Sequence, residues 1–365
     1  MYSNILSVVL LAAYATATPI AEPAPRPGPS PQGLSSFPSA FSTGSKGLPV
    51  KTDFDTSGGS GPYPASIFTD PSLTKHTIYA PKTAVNGTKL PLIIWGNGLC
   101  AAAGAFFANF LTEIASHGFI VIANGAPGTL PTAAPTQSSS SGGLLDSLMT
   151  SISLLSQGMT TASWQGDSMK WVFGLNGGQT KWGQIDLEKI AAAGQSCGGI
   201  ESYTVSLADP RIKHTVLFNS GYIDRSAVKN LKSIKSTVAY FLGDVTDVAF
   251  ANGKQDFEQL PAEVPALLAN ADVGHLGGFF EKQGGVNGRI AVPYFKWILK
   301  GDEQSKKMFF SNPSPFAKDV TMTALQAAFK IIILDNFIVR PVPGGTTALC
   351  RTSDIHTLHQ ISTAS

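Results

Sequence analysis

Residues 194–198 read GQSCG and match the pattern G-x-S-x-G. The apolar run KIAAAG before it predicts a strand, and GGIESYTVSLA after it predicts a helix. In that context the serine occupies a strained turn at a helix N-terminus, where backbone N–H groups favour developing negative charge. Side chains two positions away on either side would collide with neighbouring backbone, so glycine is needed there. The pattern predicts that Ser196 is a nucleophile for acyl transfer.

A serine nucleophile needs a histidine base, and in this strand–turn–helix context the base follows it in the chain. Four histidines lie after Ser196: His214, His275, His356 and His359. His214 opens a predicted strand, at the end away from the site, and the last two lie in an irregular tail. His275, in the loop ADVGHLGGFF before the last predicted helix, is the remaining candidate.

The acid that orients the histidine is expected after the predicted strand STVAYFLG, residues 236–243. Asp244 and Asp247 both follow that strand, and either could reach an imidazole N–H. Each could equally be an ordinary turn aspartate that caps a helix. Asp247 is the preferred acid and Asp244 is the alternative.

An oxyanion hole for this chemistry needs two backbone donors. The residue after the serine, Cys197, supplies one. The loop WGNGLC, which follows the predicted strand LPLIIW, supplies the second through Asn97 or Gly98. Glycine in this loop allows close approach of the backbone to a substrate.

Residues 96–101 also resemble a dinucleotide-binding fingerprint, because G-x-G-x-x-A follows a strand. That fingerprint requires an acidic residue at the end of the next strand, and FIVIANGAPG has none. No GK[ST] motif occurs, and no His or Cys cluster has metal-ligand spacing. We therefore expect neither a cofactor nor a metal.

Short apolar runs alternate with helical patterns from about residue 74 onward. Such alternation is typical of an α/β fold with a mostly parallel central sheet and helices on both faces. Ligands bind at the carboxyl ends of such strands, which places the important residues near 96–100, 125–128, 195–199, 220 and 244–247. Amphipathic helices are predicted over residues 105–118 and 143–157, and a late helix over residues 288–301, with Pro293 as a possible break.

The chain has 365 residues, with 43% hydrophobic residues, 14% charged residues and a net charge of +2. It carries no basic stripe, which argues against a nucleic-acid partner. The three cysteines, Cys100, Cys197 and Cys350, allow at most one internal disulfide, and its pairing stays open.

The N-terminus predicts a signal peptide over residues 1–17, with an A-x-A cleavage site ending at Ala17. Residues 18–48 are rich in Pro, Ser and Gly and predict a disordered lead-in. The folded domain is expected over residues 49–310, followed by a C-terminal extension, residues 311–365. We expect a secreted protein with a glycosylation acceptor at Asn86 and no stable membrane insertion.

The segments IIWGNG, ASHGFIVIA, GQSCGG, GDVTDVAFANG and VGHLGGFF occur in this order over about residues 74–302. Together they resemble the α/β-hydrolase superfamily, and within it secreted fungal members akin to the dienelactone hydrolase, chlorophyllase and polyester-hydrolase group. The resemblance implies Ser196 as nucleophile, Asp247 as acid, His275 as base and Asn97 as oxyanion donor. It also implies a serine esterase that acts on small-molecule or polymeric esters, and we expect a monomer.

Other functions remain open on the same scaffold. A catalytically silent binding protein is one alternative, and a peptidase or acyltransferase is another. The segment of residues 163–184 carries Trp164, Trp171 and Trp182, which could line an apolar pocket or simply pack in the core.

Overall fold

The computed structural model describes residues 54–128, 156–311 and 316. Several sequence-based predictions concern residues outside these ranges. They are the signal peptide 1–17, the lead-in 18–48, nearly all of a helix predicted over residues 143–157, and most of the extension 311–365 with Cys350, His356 and His359.

The described residues form an α/β structure around one mixed sheet of nine strands. The strands are β1 (Ala65–Phe68), β2 (His76–Pro81), β3 (Val85–Gly96), β4 (Ile120–Asn124), β5 (Gln179–Thr180), β6 (Gly183–Gln195), β7 (His214–Phe218), β8 (Thr237–Leu242) and β9 (Ala266–Asn270). Their order is β1-β2-β4-β3-β6-β7-β8-β9, and β5 pairs with β6. The pairs β3–β4, β3–β6, β6–β7, β7–β8 and β8–β9 are parallel, whereas β1–β2, β2–β4 and β5–β6 are antiparallel.

Six α-helices connect or flank these strands in the described ranges. They are α1 (Ala108–Ser116), α2 (Ala162–Gly174), α3 (Cys197–Ala208), α4 (Phe250–Gln259), α5 (Gly285–Lys300) and α6 (Glu303–Phe310). Short 3₁₀ segments span Gly98–Cys100, Asn176–Gly178, Arg225–Ser233 and Lys282–Gly284.

The strands bury both faces, because successive side chains of a strand point to opposite sides of the sheet. On one face Trp95 of β3 packs in a cluster with Phe110 of α1 and Phe295 of α5. On the other face the neighbouring Ile94 packs in a cluster with Met169 of α2. Helices cover both sides of the sheet, which explains why strands such as LPLIIW are continuously apolar.

Most predicted strands and helices occur where the sequence placed them, but strands β1, β5 and β9 and helices α2, α4 and α6 were not predicted, and one predicted break is absent. Strand β9, which precedes His275, was not predicted, because ALLAN is short and follows directly on Pro265. The break suggested at Pro293 was wrong, since α5 runs through it as one helix. Proline removes one backbone hydrogen bond from a helix, and the buried packing of α5 offsets that loss.

No helix in residues 54–128 and 156–311 combines the length and the apolar character that a membrane crossing requires.

Candidate functional site

The turn between β6 and α3 holds Ser196 in an unusual backbone conformation. Its φ is 53° and its ψ is −120°, a combination that non-glycine residues rarely adopt. Both backbone polar groups of Ser196 are hydrogen-bonded. Its N–H donates to the Phe218 carbonyl at 3.0 Å, and its carbonyl accepts from the Ser220 hydroxyl at 2.6 Å. The strain expected from the sequence is therefore present, and the surrounding hydrogen bonds maintain it.

The two glycines that flank this turn leave no room for a side chain. A Cβ on Gly194 would lie 2.2 Å from the Gly198 carbonyl oxygen, and a Cβ on Gly198 would lie 2.0 Å from the Gly96 carbonyl oxygen. Both obstructing atoms belong to the backbone, so a small rotation of a side chain cannot relieve either clash. Strands β3 and β6 and the start of α3 thus approach one another as closely as glycine permits.

The structure brings Ser196, His275 and Asp247 together, although they are far apart in the sequence. The Ser196 Oγ lies 3.0 Å from the His275 Nε2, and the His275 Nδ1 lies 2.6 Å from the Asp247 Oδ1. Ser196 and Asp247 are buried, whereas the His275 side chain keeps 15% of its surface exposed. An imidazole between a hydroxyl and a carboxylate can move a proton away from the hydroxyl.

Both carboxylate oxygens of Asp247 accept hydrogen bonds. Its Oδ1 also accepts from the Ala249 N–H at 2.9 Å, and its Oδ2 accepts from Asn219 Nδ2 at 2.9 Å and from the Gly243 N–H at 3.0 Å. Burial alone would raise the pKa of Asp247, but the His275 imidazole and these donors outweigh it and lower the pKa. Because an ionised carboxylate only accepts, the His275 Nδ1 must carry a hydrogen, and in the neutral imidazole Nε2 is then an acceptor for the Ser196 hydroxyl.

His275 lies in the loop after β9, and two amide side chains tie that loop to the sheet. Gln195, beside the nucleophile, donates through Nε2 to the His275 carbonyl at 3.0 Å. Asn219 donates to the carbonyl of Gly274 at 3.0 Å. Sequence reasoning assigned a role to neither residue. The only signal for Asn219 was its place just after a strand, near position 220.

The loop after β3, residues 97–103, is shaped by the buried Asn97 side chain. Its Nδ2 lies 3.0 Å from the Ala101 carbonyl, 3.2 Å from the Ala103 carbonyl and 2.7 Å from the Asn124 carbonyl, and its Oδ1 accepts from the Trp95 indole N–H. The loop contains a 3₁₀ turn, Gly98–Cys100. Asn97 therefore orders the loop with its side chain, and any oxyanion contact would come from a backbone N–H of Asn97 or Gly98.

Cys100 and Cys197 form a disulfide, which answers the pairing that the sequence left open. One cysteine lies in the loop after β3, and the other is the first residue of α3, directly after Ser196. The bond covalently joins the two segments from which the oxyanion donors were predicted.

The remaining predicted residues lie elsewhere or have other contacts. Asp244 contacts neither Ser196 nor His275 through any hydrogen bond found in the described part of the chain; its N–H donates to Asn270 Oδ1 at 2.6 Å. His214 begins β7 and its Nδ1 lies 2.7 Å from Thr237 Oγ1. Burial lowers the pKa of His214 to about 4.

The three tryptophans of residues 163–184 belong to packing contacts. Trp182 is buried in the apolar cluster on the α2 side of the sheet, and Trp171 packs against the same cluster. Trp164 lies beside His76, with ring centroids 5.9 Å apart. The idea that they line a pocket receives no support from these positions.

Within residues 54–128 and 156–311, no group of three His, Cys, Asp or Glu side chains is arranged to hold a metal ion. Comparison of the chain with protein-family models and with curated protein sequences found no match.

Proposed function

We propose that this protein is a serine hydrolase of the α/β-hydrolase superfamily that cleaves carboxylic esters. The observation that carries the proposal is the unbroken series of contacts from the Ser196 hydroxyl through the His275 imidazole to the Asp247 carboxylate. The strained turn and the position of Ser196 at the start of α3 support it. The parallel pairs β3–β4, β3–β6, β6–β7, β7–β8 and β8–β9 are what this fold would require.

In the first half of the reaction, the Ser196 Oγ attacks the carbonyl carbon of the ester while His275 Nε2 takes the hydroxyl proton. Asp247 stabilises the imidazolium through its contact with Nδ1. The oxyanion of the tetrahedral intermediate accepts from the backbone N–H of Cys197 and from Asn97 or Gly98. The intermediate then collapses, and the leaving alkoxide takes the proton from His275, which leaves an acyl group on Ser196.

In the second half, His275 Nε2 takes a proton from water as the water oxygen attacks the acyl carbon. Collapse of the second intermediate breaks the bond to the Ser196 Oγ, which recovers its proton from His275. The products are an acid and an alcohol, and the protein returns to its initial state. Every proton transferred in the cycle passes through His275 Nε2, and we propose no cofactor.

We further propose that the protein is exported and acts on small-molecule or polymeric esters outside the cell. The disulfide between Cys100 and Cys197 fits an oxidising compartment. The predicted acceptor Asn86 is exposed near the start of β3, so a glycan could be attached without disturbing the core.

A fluorophosphonate probe and p-nitrophenyl esters of short and long acyl chains test the esterase proposal together. We expect the wild-type protein to react covalently with the probe and to hydrolyse at least one of the esters. Ser196→Ala should abolish both activities. Ser163→Ala, a change at an exposed serine at the start of α2, is the matched control and should keep both.

The alternatives predict different results. A silent binding protein would leave the wild type unlabelled and inactive, which would contradict the proposal. Faster cleavage of p-nitroanilides than of the matching esters would indicate a peptidase, and transfer of the acyl group to an added alcohol in preference to water would indicate an acyltransferase.

A further inference from the structure

Glu201 is a carboxyl group buried in α3, behind the nucleophile turn, and its exposed fraction is 0%. The groups that hydrogen-bond to it are neutral. Thr160 Oγ1 lies 2.7 Å from Oε1, and Asn124 Nδ2 donates to Oε2 at 3.0 Å. No described Lys, Arg or His forms an ion pair with it. A buried carboxylate without a cation is costly, so the protonation state of Glu201 has to be established from its contacts.

Counting hydrogens shows which state the contacts favour. The Thr160 Oγ1 lies within reach of both Glu201 Oε1 and the Cys100 carbonyl, at 3.1 Å from the latter, but it has one hydrogen to donate. If Glu201 were ionised, the Thr160 O–H could donate to only one of these two acceptors, although the Cys100 carbonyl would still accept from the Thr160 N–H. If Glu201 is protonated, its O–H donates to Thr160 and the Thr160 O–H donates to the Cys100 carbonyl. The protonated form therefore satisfies both contacts.

The electrostatics agree with the hydrogen count. Burial raises the pKa of Glu201 to about 8, and the hydrogen bonds with Thr160 and Asn124 lower it only in part.

The same contacts connect α3 to the loop of residues 97–103. Besides the hydroxyl contact, the Thr160 N–H donates to the Cys100 carbonyl at 2.7 Å, and the Ala102 N–H donates to the Gly158 carbonyl at 2.9 Å. On the other side of Glu201, the backbone carbonyl of Asn124 accepts from the Asn97 side chain. Glu201 thus links the helix that begins directly after Ser196 with both segments that flank the loop.

We propose that Glu201 is a positioning residue whose protonated carboxyl group helps to hold the loop of residues 97–103 against α3, and that ionisation of Glu201 breaks this hydrogen-bonded contact, leaves the Cys100–Cys197 disulfide as the link between loop and helix, and lowers activity. The activity part of this inference rests on the proposed esterase function. The hydrogen-bond chain itself does not.

Other titratable groups on α2 and β2, near Glu201, have hydrogen-bond or ion-pair partners other than Glu201. On α2, Asp167 pairs with Lys170 at the surface. On β2, His76 is in register with Asn124, its Nε2 contacts the Trp164 carbonyl, and burial lowers its pKa, so it does not titrate in the alkaline range that concerns Glu201.

The remaining groups lie further from the loop. On α3, Tyr203 contacts Tyr240 on the opposite side. The other titratable residues of β3, β6 and β7 precede the carboxyl-terminal halves of these strands, which lead to the site; they are Lys89, Asp186, Glu188, Lys189 and His214.

The pH profile of ester hydrolysis tests the inference. Above the pKa of about 8, kcat/KM of the wild type should fall by up to about tenfold for each pH unit, if the ionised form is inactive. Glu201→Gln keeps a donor and an acceptor but cannot ionise, so the ratio of its kcat/KM to that of the wild type should rise across the same range. Glu201→Ala should reduce kcat at every pH, with a smaller effect on KM. Parallel profiles for the wild type and Glu201→Gln would overturn the inference.

A second measurement separates this inference from the esterase proposal. The rate at which a phosphine reduces the Cys100–Cys197 disulfide reports on how firmly the loop is held, and it requires no catalysis. We expect Glu201→Ala to be reduced faster than Glu201→Gln, and the wild type to be reduced faster than Glu201→Gln only above the pKa of Glu201. Equal rates for all three proteins would overturn the role of Glu201 even if hydrolysis is observed. The expected rates without any hydrolysis or probe labelling would support the role in holding the loop and contradict the esterase proposal alone.

Discussion

The Asn219 side chain joins Asp247 to the loop that carries His275. Its Nδ2 donates to Asp247 Oδ2 at 2.9 Å and to the Gly274 carbonyl at 3.0 Å. One amide group therefore sets the position of the carboxylate and of the residue next to the histidine. Asn219 itself has a φ of 48°, a region that asparagine tolerates better than most residues.

Removing this amide should slow catalysis while leaving substrate binding nearly intact. Asn219→Gly is the informative change, because glycine accepts the positive φ without strain. A hydrogen bond to a charged group contributes about 1.5–3 kcal/mol, so kcat should fall roughly 10- to 100-fold if the bond acts fully in the transition state. Steady-state kinetics would check this. An unchanged kcat, or a rise in KM alone, would contradict the positioning role.

Asp247 and Asp244 form a matched pair for testing which aspartate acts. Asp247→Asn replaces an acceptor of the His275 Nδ1 hydrogen and favours the wrong tautomer, so kcat should fall by roughly 10⁴-fold. Asp244→Asn should remain near wild-type activity, because asparagine fits the φ of 65° and the Asp244 side chain forms no hydrogen bond or ion pair with His275 in the described residues. Probe labelling of both variants, with circular dichroism to confirm folding, would decide. Similar losses in the two variants would show that the observed hydrogen bond does not identify the acid.

The glycines of the nucleophile turn predict a contrast between two alanine substitutions. Gly198→Ala places a Cβ 2.0 Å from a backbone oxygen and should destabilise the protein by about 1–3 kcal/mol or more, with loss of probe labelling. Gly166→Ala, in α2, meets no atom within 4 Å and should stabilise the protein by about 0.5–1 kcal/mol. Thermal unfolding of both variants checks the prediction, and a stable, reactive Gly198→Ala protein would refute the account of the tight turn.

The sequence predicted the parts of the site that depend on local pattern. The run of apolar residues before Ser196 and the glycines around it indicated a strand, a turn and a helix, and these are present. His275 was reached by eliminating three other histidines, and the structure places it against Ser196. For Ser196 a short stretch of chain already contains the physical constraint, whereas His275 could be found because few histidines follow Ser196.

The rest depends on contacts between distant segments. Asn97 and Asn219 are polar residues after strands, and nothing local distinguishes a buried amide that bonds three carbonyls from a turn residue. Glu201 would ordinarily be assigned to the surface of a helix, yet it is buried. The disulfide joins cysteines 97 positions apart, and three cysteines allow three different pairings. Only the folded arrangement of the sheet reveals these partners.

Because a disulfide lies beside Ser196, the redox conditions under which the polypeptide folds affect the reacting centre. In a reducing cytosol, Cys100 and Cys197 would remain thiols, and the loop and the helix would be held together by hydrogen bonds alone. Material made in such a host could have the correct mass and secondary structure and still differ at the reacting centre from material folded under oxidising conditions. Two preparations of one sequence could then differ in turnover, and a count of free thiols would tell them apart.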